Sequence, residues 1–319
     1  MFQSMEVDRI GHRLADEDPE IRRIAVMDLL DIGEEDVMVP LLVRATLDAD
    51  ASVRAEAARC LEGMESEPAI SGLLDLLVDD EPEVREAAAT SLAEIKEPSH
   101  GGQLLDRLNN SDGFARASIF RALRELRRAE AYGPALHALN DGDPAVRAAA
   151  VGVLGYLKNT QALPDIARLA RTDPDPDVRR ITVGALAFAQ HVPEVSEALV
   201  DALKDTSWQV RDEAATTLGK LGDRAAIRPL MDAMEDPYWQ VRLKATRSLG
   251  KLKASEALGS LTLALSHSVS NLRKEVAIAL GEIGNLAAIP YLEQALSDKD
   301  PDVRKMCRIA LSQLGALKS

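Results

Sequence analysis

Ten arginines punctuate this chain at intervals of 31 or 32 residues: Arg22, Arg54, Arg85, Arg116, Arg147, Arg179, Arg211, Arg242, Arg273 and Arg304. A guanidinium is a planar fork of N–H donors shaped for carboxylates and phosphates. Such a row could therefore be an array of anion sites or a set of internal ion pairs. The flanking residues favour the second reading. Six positions before the arginine stand Asp16, Asp48, Asp79, Asp141, Asp173, Asp205, Asp236 and Asp298, with only Asn110 and His267 departing. Each arginine also lies beside an apolar stripe, so its guanidinium must lose water and needs carboxylate or carbonyl acceptors. The expectation is an Asp–Arg ladder running between adjacent repeats.

Other residues capable of chemistry are sparse. The five histidines, His12, His100, His137, His191 and His267, are scattered, and none precedes a glutamate. Cys60 and Cys307 lie in distant repeats with no metal spacing. There is no Gly-rich phosphate loop and no nucleophile with a base at recognisable spacing. The reading is of no catalytic residue, no metal and no cofactor.

The elements that carry the arginines follow from the spacing. Seven residues after each arginine comes a leucine, from Leu29 to Leu311. A period of this size over ten copies marks a stacked repeat, in which no unit buries its apolar face alone. In the seventh copy, Val195, Leu199, Ala202 and Leu203 form one helical face. Asp205-Thr206-Ser207 interrupts it, with Ser207 expected as N-cap. Val210, Ala214, Ala215 and Leu218 form a second face with helical period, and Gly222 ends that helix. Pro19, Pro82, Pro144, Pro176 and Pro301 should open second helices, where a missing N–H costs nothing.

The predicted fold is all-α: one solenoid over residues 1–319, a right-handed superhelix of about ten helical hairpins. The expected repeats are 1–33, 34–65, 66–96, 97–128, 129–159, 160–191, 192–222, 223–253, 254–284 and 285–319. Copies four and nine break the consensus and are expected to act as hinges.

Charge and hydropathy narrow the partners. The net charge is −14, and residues 1–100 hold 25 Asp and Glu against 9 Lys and Arg. The remaining residues hold 27 against 29, so the excess acidity sits at one end. That is a poor surface for nucleic acid or anionic lipid. No apolar run approaches the ~18–20 residues of a membrane span. The N-terminus lacks the basic start of a signal peptide, and the two isolated cysteines suit a cytoplasmic setting.

The pattern D-x-D-P-x-V-R-x-x-A-A-x-x-L-G-x-L-G, followed by A-I-x-x-L-x-x-A-L, resembles the HEAT-like repeat of phycobilisome-lyase-related proteins. The resemblance covers essentially the whole chain. It implies an α-solenoid whose relatives include scaffolds, chromophore lyases, hydroxylases and DNA glycosylases. Di-iron hydroxylases of this kind use His-Glu pairs, which are missing here, and the glycosylases need a basic groove. A bilin or tetrapyrrole lyase or chaperone subunit is the alternative that the resemblance implies, although aromatics make up only 3% of the chain.

The candidate site is a protein-binding groove. In a solenoid the second helices line the concave face. Trp208 and Trp239, both tryptophans of the chain, occupy equivalent positions in matching Trp-Gln-Val-Arg tetrapeptides, and Tyr238 precedes the second. Adjacent helices about 10 Å apart bring such residues into one rim. The expected partner-binding residues are Trp208, Gln209, Tyr238, Trp239, Gln240, Lys244 and Arg247. Arg121 joins them from the one basic helix, in the fourth repeat, which also holds Arg116, Arg124, Arg127 and, beyond the helix end, Arg128. The function expected is a non-catalytic scaffold or adaptor for another protein or peptide, in a role such as assembly or maturation of a cofactor-bearing enzyme.

Overall fold

The computed structural model describes residues 2–315, with side chains from residue 7 onward except that of Asn110. Residue 1 and residues 316–319, at the ends of the first and tenth expected repeats, lie outside the described residues. Among the described residues there are twenty α-helices and no strand. The chain divides into two compact units, Met1–Leu157 and Lys158–Ser319.

The first unit contains five hairpins: α1 (Phe2–Arg13) with α2 (Pro19–Asp28), α3 (Glu35–Ala45) with α4 (Ala51–Cys60), α5 (Glu67–Leu76) with α6 (Pro82–Leu92), α7 (Gly101–Arg107) with α8 (Gly113–Leu126), and α9 (Tyr132–Ala138) with α10 (Pro144–Leu157). The second contains five more: α11 (Leu163–Thr172) with α12 (Pro176–Ala185), α13 (Pro193–Ala202) with α14 (Trp208–Leu221), α15 (Ile227–Ala233) with α16 (Trp239–Lys251), α17 (Leu258–Ala264) with α18 (Ser270–Ile283), and α19 (Ile289–Gln294) with α20 (Pro301–Gln313).

Local sequence explains where these helices start and stop. All five expected prolines are the first residue of a second helix, where the ring presets φ and no helical N–H is lost. Asp18, Asp50, Asp175 and Asp300 precede second helices and accept a hydrogen bond from the N–H two residues on. Ser207 stands at the expected N-cap position, but its hydroxyl donates to Gln209 Oε1 at 2.8 Å and caps no backbone N–H. The turn there is held by Asp205, whose Oδ1 accepts the Ser207 N–H at 2.8 Å. Gly222 ends α14 at φ 74°, the left-handed region in which a Cβ is strained. At four other places Arg127, Lys158, His191 and Lys253 take positive φ themselves.

Packing within each unit follows the apolar stripes. Val210, Ala214, Ala215 and Leu218 of α14 are wholly buried, as are Val195 and Leu199 of α13. The second helices pack on one another in sequence, α2 to α10 in the first unit and α12 to α20 in the second. In the second unit, α15, α17 and α19 make few contacts among themselves. The second helices thus form the more closely packed side of this unit.

Small residues permit the closeness. A Cβ on Gly250 of α16 would lie 2.9 Å from Ala279 Cα of α18, and one on Gly281 would lie 3.1 Å from Ala310 Cα of α20. Ser248 Oγ of α16 donates to the Ala215 carbonyl of α14 at 2.7 Å, and Ser91 of α6 does the same to Ala58 of α4 at 2.8 Å. In the first unit, α6 and α8 meet over far fewer residues than α8 and α10 do.

The ladder is present. Arg22–Asp48, Arg54–Asp79, Arg179–Asp205, Arg211–Asp236 and Arg273–Asp298 are two-pronged forks, with Nε and Nη2 donating to the two carboxylate oxygens at 2.6–3.0 Å. Arg116 meets Asp141 through Nη2 at 3.0 Å. Each aspartate belongs to the repeat after its arginine. The other guanidinium nitrogen turns back, so that Arg211 Nη1 donates to the Asp205 carbonyl at 2.8 Å, tying the helix to its own turn. Arg85, whose partner position is Asn110, instead lies over the Phe114 ring with its carbon 5.7 Å from the centroid.

A candidate aromatic and charged face on the second unit

The ladder builds the platform for the aromatic residues. Asp236, held by Arg211, accepts the Tyr238 N–H at 2.8 Å through Oδ1. That bond fixes Tyr238 at the N-cap of α16. The Tyr238 ring stacks on Trp208, the first residue of α14, with centroids 5.6 Å apart and planes 13° apart. Arg211 also faces the Tyr238 ring, its guanidinium carbon 5.6 Å from the centroid. Stacked aromatic pairs and cation–π contacts each add about 0.5–1.5 kcal/mol beyond burial.

Trp208 therefore pairs with Tyr238 of the next repeat rather than with its sequence counterpart Trp239. Trp239 is half-buried at the start of α16 and is in no aromatic pair among the described residues. Tyr238 stays 45% exposed, so a large apolar surface remains open on a rigid mount.

Behind the aromatic pair the face is charged. Gln209 is exposed and Gln240 half-buried. Burial pushes the Asp212 carboxyl of α14 above its ordinary value, and the charge of Lys244 on α16 pulls it partly back. Arg247 projects from α16, its side chain 47% exposed, and its fork is closed on Glu275 of α18, with Nε and Nη2 each 2.8 Å from a carboxylate oxygen. That bond is the main cause that raises the Arg247 pKa. Glu275 itself is only 5% exposed. Sequence reasoning did not single out Glu275, yet it occupies the place two after the arginine, as Glu213 and Lys244 do, and the register alone puts it on this face.

Arg121 lies on α8 of the first unit, exposed and with no ion pair among the described residues. Its neighbours are committed elsewhere: Arg127 lies over the Tyr156 ring at 4.9 Å, and Arg128 forks on Glu130 and donates to the Pro98 carbonyl.

The side chains on this face offer a stacking surface, amides and charge. Cys60 and Cys307 are buried, and burial pushes both thiols up to about 11, away from the thiolate form that attacks or ligates. Among the described residues no three His, Cys, Asp or Glu side chains converge as metal ligands, and no helix is long and apolar enough to cross a membrane.

Comparison with known proteins places the fold. The chain is similar to YibA of E. coli at 22% identity over 87% of this chain and 92% of that one, with a TM-score of 0.54. A structure of Kap95p with RanGDP is similar at 15% identity over 99% of this chain and 52% of that one, with a TM-score of 0.74. The Kap95:Nup1 complex gives 14% identity over 98% and 51%, with a TM-score of 0.65. The chain thus spans about half the length of the Kap95 chains, and at these identities the likeness is one of fold. No curated protein matches the chain. The sequence profile described as HEAT repeats matches residues 7–93, 39–124, 102–187, 133–208, 168–240, 196–278 and 227–312. With five helical hairpins in each unit and overlapping matches from residue 7 to residue 312, the chain belongs to the HEAT-repeat family.

Proposed function

We propose that this protein is a non-catalytic scaffold or adaptor that holds another protein or a peptide segment against the second-helix face of its second unit. The observation that carries this reading is the Trp208–Tyr238 stack, mounted on the Arg211–Asp236 fork and still open to solvent. Rigid aromatics on a pre-ordered base are typical binding anchors, because little side-chain entropy remains to be lost. Gln209, Trp239, Gln240, Lys244 and Arg247 surround the anchor and supply polar contacts; Arg121 is a separate proposed contact on the first unit. The Kap95p structures are complexes with RanGDP and with Nup1, which supports a partner-binding use of the fold. The role we favour is cytoplasmic, in assembly or maturation of a cofactor-bearing enzyme.

The test is affinity capture from the native host with mass spectrometry. A defined partner should be retained by the natural chain and lost from the Trp208→Ala, Tyr238→Ala double variant, with helical circular dichroism unchanged. Retention by the folded double variant would place the interface elsewhere. Visible absorbance after incubation with bilin or haem would instead favour the tetrapyrrole-handling role of phycobilisome-lyase-related chains.

A further inference from the structure

Two rungs of the ladder lack their aspartate, at Asn110 and His267, and the second leaves its arginine open. Arg242, the first-turn arginine of α16, should be met by an aspartate of the ninth repeat, but that position is His267. Its counterparts Arg211 and Arg273 hold both a carboxylate fork and a carbonyl of their own turn. The Arg242 guanidinium donates no hydrogen bond to the protein, and its Nε is shut off from solvent without an acceptor. Asp236, the ladder carboxylate of its own turn, is already forked by Arg211. A guanidinium N–H left in this condition forfeits roughly 1–3 kcal/mol, which an incoming acceptor would recover.

The open rung borders a space. Arg242, Ser260, Ser266 and His267 line a cleft of about 210 Å³, with Glu235 at its edge but beyond ion-pair distance of Arg242. At about 30 Å³ per water, that volume admits a small carboxylate group with room to spare. Further donors border the same space. His267 Nδ1 accepts the Val269 N–H at 3.0 Å, so the neutral ring carries its proton on Nε2. Burial first, then the charges of Arg242 and Arg273, lower the His267 pKa and keep the ring neutral at pH 7. The Ser260 hydroxyl makes no hydrogen bond within the protein, whereas that of Ser266 is spent on the Leu263 carbonyl at 2.8 Å.

We propose that this cleft binds a carboxylate, received by the Arg242 fork at the place where the other rungs hold an aspartate. The flat two-oxygen geometry is the one that five rungs of the same ladder satisfy from within the chain. The source is a free small carboxylate or an acidic side chain of a docked segment. The proposal does not depend on the Trp208–Tyr238 anchor.

The experiment follows the Arg242 Nε–H resonance of the full chain by NMR, assigned by its loss in Arg242→Lys. Acetate and a capped aspartate are titrated against the natural chain, with inorganic phosphate as comparison. Both carboxylates should shift the resonance, and His267→Asp, which supplies its own carboxylate, should weaken their binding by on the order of tenfold or more. A stronger response to capped aspartate than to acetate identifies a docked acidic side chain; an equal response identifies a free carboxylate. The proposal is overturned if neither carboxylate moves the resonance, if phosphate binds more tightly than both, or if a folded His267→Asp chain responds as the natural one does. If His267→Asp does not fold, His267→Ala serves: it leaves the rung open and should retain the response, and loss of the response there would also overturn the proposal.

Discussion

At the scale of single residues, the ladder aspartates do two jobs at once. Asp48, Asp79, Asp141, Asp205, Asp236 and Asp298 each receive an arginine from the preceding repeat and accept the N–H two residues on, at the start of the next second helix. At Asp79 and Asp298 the arginine bond is the largest influence, and it holds the carboxyl below the ordinary value. At Asp48, Asp205 and Asp236 burial is the largest single influence and pushes upward, but the arginine fork, the turn N–H and the arginine charge together outweigh it. A carboxyl whose pKa is depressed by folding stabilises the fold above its unfolded pKa of about 3.9, and that stabilisation is lost as pH falls through the folded value. Asp205→Asn should therefore cost about 2–3 kcal/mol at pH 7. In urea unfolding the gap between natural chain and variant should shrink below about pH 4; a gap that stays constant down to pH 2 would show that the ladder charge is not what stabilises this rung.

At the scale of elements, the distance between second helices is set by what they lack. Gly250 adds no side chain where α16 crosses α18, and the nearest backbone obstacle to a Cβ is Ala279 Cα at 2.9 Å. Backbone cannot rotate away as a side chain can, so Gly250→Ala should cost about 1–3 kcal/mol by forcing the helices apart. That loss would outweigh the gain of up to about 1 kcal/mol that alanine brings to a helix interior. Gly259 of α17 has nothing within 4 Å of a Cβ, so Gly259→Ala should be neutral or slightly stabilising. Thermal melts of the two variants give the comparison, and equal melting temperatures would rule out close approach as the reason for glycine at position 250.

At the scale of the molecule, a repeat stack is only as cooperative as its weakest seam. The expectation of hinges at the fourth and ninth repeats meets two different situations. The α6–α8 seam of the first unit is thin, and its arginine lies over Phe114 instead of in a carboxylate fork. The α16–α18 seam of the second unit is closely packed and lacks only the ladder bond. Hydrogen exchange should therefore be faster in the turns beside α6 and α8 than in those beside α16 and α18; equal protection would mean that the loss at the fourth repeat is compensated. Cys60 and Cys307 report on the two units separately, since each is buried in one of them. Maleimide labelling should be slow at both in the native state and accelerate with urea as each unit opens; rapid native labelling at either would contradict its burial.

Much of this was readable from the residues in order. The ten arginines and eight aspartates determined the hairpin register, the ladder and the all-helical class, because interactions that recur at a fixed period must be satisfied in the same way at each step. The fold class needed no knowledge of long-range contacts, since every contact in a repeat stack lies within about one period of its partner in sequence. Equivalent sequence positions identified Trp208 and Trp239 as a pair, but the neighbouring turns bring Trp208 onto Tyr238 instead. The missing aspartate opposite Arg242 already stood in the sequence as His267, whereas the Arg247–Glu275 fork, like the Trp208–Tyr238 stack, was decided by the tertiary structure alone. Those outcomes depend on the offset and closeness of adjacent helices, which packing around glycine and alanine sets to fractions of an ångström, and a one-dimensional period carries no such distances.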